Sequence, residues 1–219
     1  MDAHGVRMRN NIKILSAAEE VFAEKGFDGA TTQEIADRAG LPKANVHYYF
    51  RTKKDIYLAV MSSIMGPWLE AFQAISADDD PTEALSNYIR RKVMLSKERP
   101  LASRIFANEM IRGAPVLSQF IASDLNDWVE EKAAILKQWA KAGKMDPIPP
   151  HHLFVVIWAA TQTYADFEVQ VRSVLRRDHL TNSDFETAAD FITSLVLKGC
   201  GVRPSSRSTN SKKSLRHTT

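Results

Sequence analysis

Apolar residues along this chain recur at spacings of three and four, and no stretch keeps the two-residue alternation of a half-buried strand. The first stripe, Ile12, Leu15, Ala18 and Phe22, marks one face of a helix that Gly26 is placed to stop in a left-handed cap. Thr31-Thr32-Gln33-Glu34 then carries the residues of a capping box: the Thr31 side chain caps the chain N–H groups and Glu34 reaches back. Ile35, Ala36 and Ala39 form the inner face of that second helix, and Gly40 ends it. A short segment, Lys43 to Tyr49, follows Pro42. Thr52-Lys53-Lys54-Asp55 opens a longer helix with Ile56, Leu58, Ala59, Met61 and Ile64. Gly66-Pro67 is expected to kink or break it, because proline lacks the amide donor and clashes with the preceding turn.

The same rhythm continues downstream. Asp80 caps a fresh start with Pro81 at the first helical position, and that helix runs to about Lys97. Pro100 opens another through Arg112, and Gly113-Ala114-Pro115 turns the chain. A long amphipathic helix spans about 115–142 and is closed by Gly143. A very apolar helix covers about 151–176, and Ser183-Asp184-Phe185-Glu186 caps the last one, which ends near Gly199. The pattern predicts an all-α protein of nine helices. Beyond residue 200 the chain is rich in Ser, Thr, Lys and Arg, and a disordered tail is expected.

Composition narrows the function classes. A hydrophobic fraction of 44% with four Trp suffices for a real core, and 25% charged residues is ordinary for a globular protein. The longest apolar run, Leu153 to Ala160, is far too short to span a membrane. The first residues have no apolar stretch to act as a signal peptide. A single cysteine, Cys200, excludes an intrachain disulfide framework and a cysteine metal site, so a reducing cytoplasm is expected. The net charge of +3 misleads as a whole: the tail contributes five basic residues and no acid, leaving 24 basic against 26 acidic residues in 1–199. Any nucleic-acid contact therefore has to come from a local patch.

Such a patch is legible near the N-terminus. Three helices with a glycine-containing turn between the second and third describe a helix-turn-helix. Its third helix would lie in the major groove and offer Lys43, Ala44, Asn45, Val46, His47 and Tyr48, with Lys43 and Asn45 able to read base edges. Of Tyr48 and Tyr49, one can reach phosphate while the other packs inward. Lys53, beside the next helix N-terminus, supplies a phosphate site, and Thr31 and Thr32 can do the same on the other flank. Taken singly these residues are as well explained by core packing and a solvated charged face. Their order within sixty residues is what points to DNA.

Residues 10–60 resemble the TetR family of repressors, through Ala17-Ala18 to Phe22, Gly26-Phe27, Thr31 to Ala36, Ala39-Gly40, Tyr48-Tyr49-Phe50 and Lys53-Lys54-Asp55. Pro42 departs from the pattern, which usually has a polar cap there. The body from about Tyr88 to Phe167 is similar to the pyrimidine-utilisation subgroup. It shares Ala102-Ser103-Arg104 with Glu109-Met110, Gly113-Ala114-Pro115, and the run from Trp158 to Phe167. The resemblance implies a DNA-binding head at residues 1–52, a helical ligand-binding and dimerisation domain at 53–199, and a basic tail at 200–219. It also implies a homodimer on a near-palindromic double-stranded operator, a small-molecule effector such as uracil or a related pyrimidine, and no cofactor. Leu153, Ile157, Phe185, Ala188, Ile192 and Leu195 are expected to form the dimer face.

The residues themselves suggest an effector site. Trp158 and Gln162, four apart, share a face of the apolar helix, where a buried amide must find partners. The amide's paired donor and acceptor suit a cyclic imide, and Trp158 can stack on its ring. Trp68 and Phe72 are expected to close the pocket, with Asn108 and Glu109 as polar partners. Core packing explains the same residues without a ligand. No HExxH, Walker A or GxSxG motif supports an enzyme, and the adjacent His151-His152 point to different helix faces. A regulator of an unrelated ligand and a helical scaffold that binds no DNA remain as alternatives.

Overall fold

The computed structural model describes residues 3–202, and every element among them is helical. The order is α1 (Ala3–Gly29), α2 (Thr32–Ala39), α3 (Lys43–Tyr49), α4 (Lys53–Gln73), α5 (Pro81–Glu98), α6 (Pro100–Ile111) and the single turn α7 (Ser118–Phe120). A π turn (Ile121–Leu125) leads into α8 (Asn126–Lys141), followed by α9 (Pro150–Asp166), α10 (Glu168–Leu175) and α11 (Asn182–Gly199). The all-α expectation holds. The basic residues of the expected tail, Arg203 onward, lie outside the described residues, while Cys200 is buried against the body.

Helix starts follow their capping residues. The Glu34 N–H donates to Thr31 Oγ1 at 3.1 Å, and the Thr31 N–H returns to Glu34 Oε2 at 3.0 Å. Thr52 and Asp55 repeat this box at α4, and Asp80 Oδ1 accepts from the Thr82 N–H at α5. Each such cap stabilises its helix by about 1 kcal/mol. The box opening α11 sits two residues earlier than expected: Thr181, not Ser183, caps, with Asp184 as its reciprocal partner. Gly26, at φ 67° and ψ 179°, interrupts α1 as expected, and a short second helical stretch follows it to Gly29.

At Pro67 the helix is kept, and one long helix expected further on is divided. α4 runs unbroken through Pro67. Proline leaves the Ser63 carbonyl without its helical donor, and Arg99 Nη1 supplies one at 2.7 Å. The same guanidinium bonds Glu19 of α1 at 2.6 Å, so an external cation compensates the interruption. The long helix expected over 151–176 is instead two, divided at Phe167 (φ −120°, ψ 36°). Both sides of the break are tied to α6: Ser103 Oγ donates to Asp166, and Arg104 pairs with Glu168.

Two hydrophobic cores result. One joins α1, α2, α3 and the first half of α4 around Phe22, Ile35, Val46 and Ile56, and continues into α6 through Ala102 and Ile105. The other packs α5 between α9 and α11, with α8 alongside, around Ile89, Trp139, Phe154 and Ile192. α4 contributes to both, with Ile56 to Ile64 in the first and Phe72 in the second, and so joins the head to the body.

The expected dimer face is corrected here. Ile157, Phe185, Ala188 and Ile192 are buried within the chain, and Leu153 is half-buried. Of the six residues named, only Leu195 is exposed. The large apolar side chains left in solvent on α9 and α11 are Val155, Val156, Phe191 and Leu195, with Phe191 66% exposed. The slip arises because both helices are apolar nearly all round, so periodicity does not say which stripe faces α5.

Candidate nucleic-acid interface and ligand cavity

α2 and α3 meet at Gly40, whose left-handed backbone (φ 65°, ψ 34°) closes α2 and turns the chain toward α3. Pro42 supplies no side-chain cap, and the free end of α3 is held by backbone bonds to its carbonyl. Val46 is fully buried and anchors α3 to the head. This fixes the opposite face outward: Lys43, Ala44, Asn45, His47 and Tyr48 are all exposed, Tyr48 by 74%. Tyr49 packs inward on the head core, edge-on to Tyr48 at 5.4 Å. The two tyrosines thus divide as the sequence suggested.

The flanking residues behave differently from one another. The Thr31 hydroxyl is engaged in its capping box, and Thr32 is half-buried at the start of α2. Lys53 is not free for phosphate. Its Nζ donates to the carbonyls of Ala30 (2.8 Å) and Asp28 (3.3 Å) and lies 4.7 Å over the Phe27 ring. It fastens α4 to the end of α1. Arg51 and Lys54 beside it remain exposed.

In the body, α4, α5, α6 and α9 line an aromatic cavity of about 70 Å³, flanked by Phe120 at the end of α7 and Leu125 of the π turn. Four of the six expected ligand residues converge on it: Trp68, Phe72, Trp158 and Gln162. Phe72 stands edge-on to Phe154, Trp68 edge-on to Phe106, and Trp158 Nε1 donates to the Tyr88 hydroxyl at 2.6 Å. Two larger depressions, between α4 and α5 and around the Phe167 break, hold neither Trp158 nor Gln162.

Asn108 and Glu109 are not brought to the cavity. The Asn108 side chain is exposed. Glu109 is buried, but its carboxylate accepts from the Tyr57 hydroxyl at 2.9 Å and from the N–H groups of Val116 and Leu117 at 2.7 and 3.0 Å. It ties α4 to the turn after α6. Spacing alone placed these residues near the site, and a helix turns them away from it.

Lys92 is a cavity residue that sequence reasoning missed. It is 3% exposed, and its Nζ donates to Gln162 Oε1 at 3.2 Å and stands 4.3 Å over the Trp68 ring. Burial pushes its pKa down to about 7, with Asp166 opposing the shift. The signal was present: Lys92 falls on the α5 stripe of Leu85, Tyr88, Ile89 and Ser96, where a cation has no place without a partner. Burial likewise raises the Tyr88 hydroxyl above the ordinary tyrosine range.

A helix-turn-helix presenting an exposed third helix, joined by one long helix to a body with an aromatic cavity, is the architecture of a DNA-binding regulator. Residues 14–60 match the family described as bacterial regulatory proteins, tetR family, and residues 61–203 match the C-terminal region of YcdC-like proteins. The chain belongs to the TetR family and is a DNA-binding transcriptional regulator. It is similar to RutR, an HTH-type transcriptional regulator of Escherichia coli K12, with 39% identity over 191 residues, 87% of this chain and 89% of the relative. A tetR-family regulatory protein from Rhodococcus RHA1 shares the fold with a TM-score of 0.70 at 22% identity, covering 89% of this chain and 98% of its own. A TetR/AcrR-family regulator from Thermobifida fusca does so at 0.61 and 23%, covering 86% and 97%.

Proposed function

We propose that the protein is a homodimeric repressor that a small cyclic amide or imide, uracil or a related pyrimidine, releases from a near-palindromic operator. The observation that carries this reading is the aromatic cavity with Gln162 in its wall, set against the helix that begins at the DNA head. Lys43 and Asn45 read base edges, while Tyr48 and the N-terminus of α2 at Thr31 and Thr32 meet the backbone. The cavity is smaller than the roughly 300 Å³ at the low end of ligand pockets. A ring can enter only if the walls move, and α4 supplies Trp68 and Phe72 to those walls. Effector binding therefore favours a state with α4 displaced, and the head moves with it. The ligand releases DNA to the extent that it binds this state more tightly.

A gel shift on DNA from upstream of the protein's own gene, titrated with uracil, thymine and dihydrouracil at fixed salt, tests this. Release by one of them is expected, and Gln162→Ala should bind the same DNA but no longer be released. Release of Gln162→Ala at wild-type concentrations would overturn the cavity assignment. A shift that no pyrimidine relieves would overturn the ligand class and leave the regulator.

A further inference from the structure

Lys92 is an uneconomical residue for a structural core. An ammonium out of water loses several kcal/mol of hydration, and this one has a single hydrogen-bond acceptor among the described residues, Gln162 Oε1. No carboxylate of the described residues reaches ion-pair distance from it. Its other company is the Trp68 face. A methionine of similar length would fill the space without the penalty. The bond to Lys92 engages the Gln162 carbonyl oxygen, and the amide keeps its NH₂ group as a donor. Among the polar groups of the lining, the Tyr88 hydroxyl is taken up by Trp158, and Lys92 and Gln162 bring an ammonium and an amide NH₂ as donors among apolar walls.

We infer that Lys92 is the cavity's charged contact for the effector, its ammonium donating to a ring oxo oxygen beside the one that Gln162 meets, so that the site selects oxo-bearing rings and binds them in the protonated state of the protein. This rests on the reading that the cavity is the effector site. The two donors match the two carbonyl groups of a cyclic imide, and a ring of the same shape without them offers neither an acceptor. Few other groups govern the proton. Asp166 of α9 favours the ammonium from beyond hydrogen-bond range, and Tyr88 of α5 is engaged with Trp158. α4 and α6 present only Met65, Trp68, Leu69, Phe72 and Phe106, none of which titrates. With its pKa held near 7, Lys92 loses its proton within the physiological range.

Calorimetric titration of the full-length protein with uracil at pH 6 and pH 8 tests the inference. The wild type is expected to bind about tenfold more weakly at pH 8, as the protonated fraction falls. Lys92→Met, checked by circular dichroism for its fold, should bind at least about tenfold more weakly at pH 6, the scale of one charge-assisted hydrogen bond, and show no pH dependence. Wild-type affinity in Lys92→Met, or a wild-type affinity equal at the two pH values, overturns the inference and leaves the cavity as effector site. Absence of uracil binding at both pH values overturns the pyrimidine reading, and this one with it.

Discussion

Arg99 donates to the carbonyl that Pro67 leaves open: Nη1 lies 2.7 Å from the Ser63 oxygen, four residues before the proline. The second arm of the guanidinium holds Glu19 of α1 at 2.6 Å. One side chain thus repairs α4 at its weak point and ties it to the head. Arg99→Ala should cost about 1–3 kcal/mol in urea unfolding, the range for charge-assisted bonds whose partners are left behind. Pro67→Ala restores the helical N–H to Ser63, so in that background the arginine should matter less. Strictly additive effects in the double-mutant cycle would show that the two residues are not coupled.

Lys92 sets a stability trend with pH whose sign is fixed. The unfolded chain keeps the lysine proton up to about 10.5, whereas the folded chain releases it near 7. Between these limits the unfolded state binds more protons, so folded stability rises with pH. Below about 7 both states are protonated and the burial penalty stands in full. Lys92→Met should therefore be more stable than the ligand-free wild type by a few kcal/mol at pH 6, with the gap closing as pH rises toward 10. Parallel stability curves for the two proteins would contradict this.

On the head, exposure separates readers from fasteners. Lys43→Ala and Asn45→Ala should each lose operator preference by about 1–3 kcal/mol, with little change in folding. Lys53→Ala should do the reverse. Its ammonium is bound to the Ala30 and Asp28 carbonyls, so thermal stability falls by about 1 kcal/mol while discrimination between operator and random DNA persists. Competition binding at one salt concentration distinguishes the two patterns.

The exposed apolar residues of α9 and α11 predict the assembly. Phe191→Glu combined with Leu195→Glu places charge where the partner's apolar face would lie. Light scattering should then report a monomer where the wild type is a dimer, and operator affinity should fall steeply, because both half-sites are no longer held together. The same pair at Phe185 and Ile192 would unfold the body instead, since both are buried inside one chain.

Much of the head was legible because its determinants are local. Thr31 with Glu34, Thr52 with Asp55, Asp80 before Pro81 and glycine at 40 each act within one helical turn. Trp158 and Gln162 were legible as neighbours because a helix places residues four apart on one face. What the residues could not reveal alone is which of several apolar stripes meets which helix. That decision turned Ile157 and Ile192 inward and Val155 and Phe191 outward, left Asn108 in solvent, and carried Glu109 to Tyr57.

The sequence by itself determined the helical class, the caps at Thr31, Thr52 and Asp80 and the outward face of α3, since these depend on dihedral preferences and on bonds between residues a few positions apart. Only the tertiary structure brought Lys92 to Gln162, seventy residues away, and Arg99 to the carbonyl opened by Pro67. Such partners are chosen by packing between helices, where burial makes an unpaired charge or carbonyl costly enough to require one particular neighbour.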